Sequence, residues 1–388
     1  MRATGVLAIV RRTVVELGSR PLFWFAMLIM PVLIFVFLTS MMEEGLPQRA
    51  PAAIVDRDRS ATSRRVTQTL AGMQMVDLVA AEESFSEAHD AMKRGEVFGF
   101  FLIPENFEKD LMSGRTPTIS FYTNMVYYVP GTMLFKNFKT VAVYTKAGLV
   151  VQTLQLTGMG EEEAMAIVNP VNIANRPIGN PQLNYAIYLC NGFVPGVLQV
   201  MIMLVTCYTV LHEIKRGTSR EWMRMAGGSV YKAVFAKMLP QTIWWWVIAL
   251  FMEMWLFKFN HFPMHGSWLW ITVSELMFVL ACQGFALFVS CVIPNLRFAL
   301  SICALMSILS FSLAAYSFPV QSMYPSVGIF SWLLPARYNV LIYFDQALNG
   351  KALYYSRLWF VAYIIFMILP FTMMWNLRRR LVNPTYMP

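Results

Sequence analysis

Side chains able to do chemistry fall in two places in this sequence. The first is the basic, turn-forming stretch from Leu211 to Pro240, which runs between two long apolar segments. Thr218 and Glu221 have the spacing of a capping box, in which a Thr hydroxyl meets a backbone N–H and a Glu three residues on reaches back. Gly217 permits a sharp turn ahead of that helix, and Gly227-Gly228 permits a stop behind it. This predicts a short helix over Thr218 to Ala226, with Trp222, Met223 and Met225 as an exposed aromatic and thioether face suited to dock on a soluble partner. The plainer reading is an anchoring loop that is basic because of membrane topology alone. The second place is the pair Glu253 and Glu275, each inside an apolar run and at similar depth across a short turn. Ionisable groups in a span are costly and face a bundle interior or a cavity. With Gln283 they fit a route for a cationic or amphipathic substrate. The plainer reading is a structural hydrogen-bonding role with Lys258, Gln283 or a partner chain.

Other chemistry has no foothold. The sequence holds no G-x-x-x-x-G-K-[ST], G-x-G-x-x-G, H-E-x-x-H or G-x-S-x-G. No nucleotide phosphate cradle, zinc-protease helix or nucleophile elbow is therefore encoded, and an enzyme reading has no positive support. His89, His212, His261 and His265 lack ligand partners at useful spacing, and Pro263 interrupts the i, i+4 pair His261/His265. The five cysteines, at 190, 207, 282, 291 and 303, all lie in apolar runs, which is the pattern of small packing residues. No basic stripe interleaved with exposed aromatics is present, so nucleic acid is excluded as a partner.

The elements that must carry these residues are membrane spans. A chain of 388 residues that is 57% hydrophobic and only 14% charged is outside the range of soluble domains. Residues 4–18 place Val6, Leu7, Val10, Val14 and Leu17 at helical spacing opposite Arg11, Arg12 and Glu16. This predicts an amphipathic helix in the cytosolic interface. Span 1 covers 21–42, and Pro31 is tolerable within it. Residues 43–185 change character. Strands are expected at 52–55, 75–79, 97–103 and 118–123. Helices are expected at 60–70, at 85–94 behind the capping box Ser84/Glu87, at 104–112 opened by Pro104, and at 130–156. A linker follows over 169–181. Five more spans are expected near 186–211, 239–259, 267–293, 298–316 and 356–376, the cluster Trp244–Trp246 serving as an interfacial belt. Residues 317–355 are too apolar for free solvent and too broken by Pro for a span, so they read as re-entrant or interfacial helices. Fourteen Lys/Arg in the first twenty residues, the loop 212–238, the turn at Arg297 and the tail 377–388 stand against four in the loops on the other side. Both termini are then cytosolic and the insert is extracytoplasmic. The fold class expected is a mainly α membrane protein of six transmembrane helices, with an α/β extracytoplasmic domain inserted between helices 1 and 2.

The segment His212-Glu213-Ile214-Lys215-Arg216-Gly217-Thr218, followed by a short helix, Gly-Gly and Lys237, resembles the E-x-x-R-G-T segment of ABC-2 type transporter permeases. The insert is similar to that of the drug-exporter-like branch. The match runs through Ala53-Ile54-Val55-Asp56, Ile103-Pro104-Glu105-Asn106-Phe107-Glu108, and Asn180-Pro181 with Tyr185. Phe318-Pro319-Val320 and Leu334-Pro335-Ala336-Arg337-Tyr338 resemble the family's outer re-entrant region. Gly227-Gly228-Ser229 departs from relatives that carry a Pro after the coupling helix. The resemblance implies the membrane half of an ATP-driven exporter moving a drug, lipid or peptide. The chain itself would bind no cofactor; ATP would be bound by partner ATPase subunits. A second permease, as homo- or heterodimer, completes the pair. The coupling residues implied are Glu213, Arg216, Gly217, Thr218, Glu221, Trp222, Met223 and Met225, and 1–20 is the elbow helix. Many relatives work with a periplasmic adaptor and an outer-membrane channel, which fits a bacterial inner membrane. Two rival readings are a secondary transporter using protons through Glu253 and Glu275, and an extracytoplasmic sensor or assembly module on a membrane anchor. No internal repeat supports the first, and the second needs neither six spans nor a capped cytosolic helix.

Overall fold

The computed structural model describes residues 5–43, 45, 49–81, 84–113, 115, 117–169, 179–181, 184–314 and 318–384. Residues 170–178 of the expected linker, residue 317 of the outer region, residue 4 of the amphipathic helix and residues 385–388 of the tail lie outside them. The chain divides into two units, Leu46–Asn175 and the remainder.

The larger unit begins with α1 (Val6–Ser19) and a first apolar stretch built from α2 (Pro21–Trp24), a π-helical turn over Phe25–Ile29 and α3 (Met30–Met41). The π turn has a local cause. Pro31 has no N–H to give the carbonyl of Met27 and its ring crowds that oxygen, so the turn widens. The indole N–H of Trp244 donates to the Met27 oxygen at 2.9 Å instead.

The smaller unit is a four-stranded sheet in the order β2-β1-β3-β4. Strands β1 (Ala50–Asp56), β2 (Val76–Ala81) and β3 (Gly99–Ile103) are parallel, and β4 (Ser120–Thr123) pairs antiparallel to β3. Helices α4 (Ala61–Ala71) and α5 (Phe85–Arg94) make the crossovers, and α6 (Phe107–Met112) follows β3. Ala52 and Ile54 enter a core with Leu70, Phe101 and Phe138, while Ala53 and Val55 enter another with Ala88 and Phe100. A strand buried on both faces reads as a continuous apolar run, which is why β1 was legible. The Ser84/Glu87 capping box forms with both bonds. Pro104, by contrast, does not open α6: that helix starts at Phe107 behind Asn106, whose φ is 60°. The long α7 (Tyr128–Leu156) and a short α8 (Glu161–Val168), which the periodicity had not suggested, complete the unit. Three glutamates in the first turn of α8 complement its N-terminal dipole.

The larger unit resumes with α9 (Tyr185–Lys215), α10 (Ser219–Met225), α11 (Val230–Lys258), α12 (Trp268–Val292) and α13 (Leu296–Leu313). Two short pieces, α14 (Pro325–Gly328) and α15 (Pro335–Tyr343), precede α16 (Leu353–Ile368) and α17 (Met374–Val382). Among the described residues six helical stretches are long and apolar enough to cross a membrane, and the pair Pro325–Leu333 and Pro335–Leu348 is bent by 86°. Gln199 of α9 fixes this bent region: its side-chain oxygen accepts the Ala336 N–H at 2.7 Å, at the start of α15. The Trp cluster is not a belt. Trp245 is fully buried, and Trp244 and Trp246 donate to carbonyls of Met27 and Thr272. Indole N–H groups inside a bundle are worth more as donors to neighbouring helices than as headgroup contacts.

Close packing of α12 on α16 gives a sign test with two glycines. A Cβ on Gly284 would lie 2.3 Å from the Phe366 carbonyl oxygen, whereas one on Gly148, in α7, meets nothing within 4 Å. Gly284→Ala is expected to cost about 1–3 kcal/mol by overpacking. Gly148→Ala is expected to stabilise by about 0.5–1 kcal/mol through helix propensity. Thermal unfolding of the two purified variants reads opposite shifts in melting temperature.

Candidate functional site

The basic loop is held by two successive helix stops of the same kind. At the end of α9, Thr218 N–H donates to the Glu213 carbonyl and Gly217 N–H to Ile214. At the end of α10, Gly228 N–H donates to Met223 and Gly227 N–H to Arg224. Both are Schellman motifs, and both rest on glycines with φ of 64–78°. The seven residues of α10 are thus fixed at either end by backbone geometry.

The capping box expected at Thr218/Glu221 does not form as a cap. Thr218 has a near-helical ψ of −1° and makes no side-chain cap bond. Its hydroxyl instead donates to the Glu213 carboxylate. The negative charge of Glu213 is a stronger acceptor for that hydroxyl than a role at the helix end.

Glu213 is the centre of a buried charge cluster. Lys237, from α11, donates to one carboxylate oxygen at 2.5 Å, and both side chains are 3% exposed. Arg12, from α1, reaches the two oxygens at 3.1 and 2.9 Å. Glu16 lies 3.6 Å from the same Lys237 ammonium and is paired with Arg20 at 2.9 Å. The Lys237 ammonium also sits 4.9 Å over the ring of Trp222. A buried carboxylate tolerates its desolvation only when paired and hydrogen-bonded, and here α1, α11 and Thr218 supply the partners.

This geometry corrects the expected docking face. Trp222 is fully buried and Met223 is 4% exposed, and both belong to the same hydrophobic core as α9 and α11. Met225 is half-buried against it. The exposed side of the loop carries Arg216, Arg220 and Arg224, spaced four residues apart. Apolar residues at 222 and 223 belong to the bundle's own core because the helix is too short to leave them outside it. Gly217 is exposed in the turn, Glu221 is half-buried, and the Gly5 N–H ties α1 to the Met225 carbonyl at 2.9 Å. On the other flank, Arg220 donates to the Val382 carbonyl at 3.2 Å. Arg380 of α17 in turn caps the end of α12 through the carbonyls of Cys291 and Val292.

Sequence reasoning singled out Glu213 and Lys237 but missed Arg12, Glu16 and Arg20 as their partners. The signal was present: the charges at 12, 16 and 20 repeat every four residues along one face of α1 and its exit. The sequence pattern places Arg12 and Glu16 on the wet side of the interface, whereas the structure turns them inward. Val6, Leu7, Val14 and Val15 are the exposed ones.

Glu253 and Glu275 are each 4% exposed. Glu253 lies near the end of α11 and Glu275 near the start of α12, so across the turn between these packed helices the two stand at similar depth. Glu275 accepts from the Asn339 amide of α15 at 2.7 Å. Neither Lys258 nor Gln283 is the partner. Gln283 lies two turns further along α12, accepts from Thr242 at 2.7 Å, and lines an apolar groove of about 440 Å³ with Met238, Gly284, Met367 and Phe371. The sequence offered no reason to choose Asn339, because it lies in the bent region whose path was not readable. Among the described residues no cluster of His, Cys, Asp and Glu is arranged to hold a metal ion.

A family model described as ABC-2 family transporter protein matches residues 21–376. No curated protein sequence matches the chain.

Proposed function

Because the chain belongs to the ABC-2 family of transporter proteins and is thus a multi-pass membrane component of an ATP-binding cassette transporter, we propose that α10 is where an ATPase subunit drives it. The observation that carries this reading is the construction of the loop. A seven-residue helix is stopped at both ends, hydrogen-bonded toward α1, α9 and α17, and held to α11 by the Lys237 ammonium over Trp222. A push on its exposed side cannot be absorbed locally and must move four helices. The exposed side, Arg216, Arg220 and Arg224, is the docking surface for an acidic face of the ATPase. The residues beneath it, Glu213, Thr218, Glu221, Trp222, Met223 and Met225, transmit the movement, and Gly217 sets the turn. ATP is bound by the partner and not by this chain.

Two such permeases pair, and the cargo is an amphipathic molecule moved outward. Both termini lie in the cytosol of a bacterium with the spans in its inner membrane. A periplasmic adaptor and an outer-membrane channel fit the extracytoplasmic unit. Single-cysteine labelling at Ser113, which is exposed, tests this topology in a variant lacking the native cysteines. An impermeant maleimide is expected to label it once the outer membrane is permeabilised. Labelling that requires inner-membrane lysis would reject the orientation.

The docking surface is tested by Arg216→Glu/Arg224→Glu. Both side chains are exposed, so folding and insertion are expected to be unchanged. Recovery of the ATPase that co-purifies with the wild-type chain is expected to fall at least about tenfold, since opposed like charges at an interface cost more than 1.4 kcal/mol. Full recovery in this variant would remove the basic face from the interface.

A further inference from the structure

The second buried polar centre, around Glu253 and Glu275, has a composition that packing alone does not explain. Five elements meet there. Glu253 comes from α11, and Ser274, Glu275 and Cys282 from α12. Asn339 and Tyr343 come from α15, and Tyr363 from α16. Asn191 and Cys190 of α9 adjoin Tyr343. Apart from the Asn339–Glu275 bond, the carboxyl groups are short of partners. Glu253 Oε2 is buried without one. Among the described residues no Lys or Arg pairs with either carboxyl group. The contrast with Glu213 is direct: that carboxylate is equally buried and has a lysine, an arginine and a hydroxyl on it.

Two adjacent carboxylates cannot both stay ionised inside a bundle. Each would carry an uncompensated desolvation cost, and each would repel the other. A single positive charge resolves both problems. The side chains are packed to 4% exposure, and a proton is the one cation that enters without needing a coordination cavity. It also converts an acceptor-only oxygen into a donor.

We propose that Glu253 and Glu275 form a buried proton-binding site, with a proton held by the carboxyl pair and its occupancy tied to the position of α15 through Asn339. The tie follows from the geometry. Asn339 donates to Glu275, so a movement that withdraws α15 removes that hydrogen bond from the pair and changes its hold on the proton. By reciprocity, proton binding then biases α15. The site is thus a sensor or carrier of one proton per permease. This inference does not rest on the docking role of α10.

Infrared difference spectroscopy on the full-length permease in lipid nanodiscs at pH 7 tests it. The wild type is expected to show the C=O stretch of a protonated carboxyl group, shifting slowly on transfer to D2O because the site is buried. Glu253→Gln/Glu275→Gln is expected to lose that band. Asn339→Leu is expected to keep it at a different frequency, since a hydrogen bond to the pair is gone. A wild type without the band would overturn the proposal, and it needs no variant to fold. So would a band surviving in the double Gln variant. An unmoved band in Asn339→Leu would sever the tie to α15. A thermal stabilisation by NaCl over choline chloride that Glu253→Gln abolishes would assign the site to an alkali ion instead and reject the proton.

Discussion

Lys237→Met is expected to lower the stability of the permease by about 3 kcal/mol. The replacement keeps the volume but leaves Glu213 buried beside Arg12 and Thr218 alone, and breaking a buried pair from one side costs 3–5 kcal/mol where no partner remains. Arg12, itself more than a quarter exposed, offsets part of that. Glu213→Gln/Lys237→Met is expected to recover most of the loss, because exchanging both charges for neutral groups of similar shape is often close to neutral. Thermal unfolding in detergent, followed by intrinsic fluorescence, measures both. The double variant then separates structure from transmission. If the cluster carries the stroke from α10 to α1 and α11, the recovered protein binds the ATPase and hydrolysis proceeds, but export falls. Wild-type stability in Lys237→Met would mean that the pair is not buried as described here.

Trp222→Ala carries the other large effect. The side chain is fully buried under the Lys237 ammonium, and removing a core tryptophan costs about 3–5 kcal/mol through lost transfer energy and the cavity left behind. Trp222→Phe is expected to retain most of the stability. A tryptophan that touched the ATPase directly would show the reverse: binding lost with the melting temperature unchanged. Loss of ATPase recovery is still expected in Trp222→Ala, but accompanied by a drop in melting temperature, because the helix that displays Arg216, Arg220 and Arg224 has lost its support. The two variants share a contact, so their effects will not add.

The spans and the strands were legible in the sequence because length and period alone specify them. Twenty apolar residues have few alternatives to crossing a bilayer, and β1 is apolar at every position since both its faces are covered. What was not legible is which side of an element turns inward. Arg12 and Glu16 look like a wet face until Glu213 and Lys237, two hundred residues on, are placed against them. Trp222 looks like an anchor for a partner until α9 and α11 close over it. The same applies to Thr218, whose hydroxyl had two acceptors in reach and took the charged one. Glu253 and Glu275 were visible as costly residues, but their neighbour Asn339 lies past the 86° bend, where no period guides the reading. Spacing along the chain finds groups that must be satisfied; only tertiary packing decides by whom.

The bond from Trp244 to the Met27 oxygen limits how the machine can move. Pro31 cannot donate to that oxygen and lipid offers no donor, so sliding α11 one turn along the first span would break a hydrogen bond that hydrocarbon cannot replace. Lys237 joins α11 to α1 as well, through Glu16 and through Glu213, which it shares with Arg12. Pinned at two heights, α1, α2, α3 and α11 behave as one crank with no slack between its arms. Any rearrangement of the bundle must therefore run along some other seam.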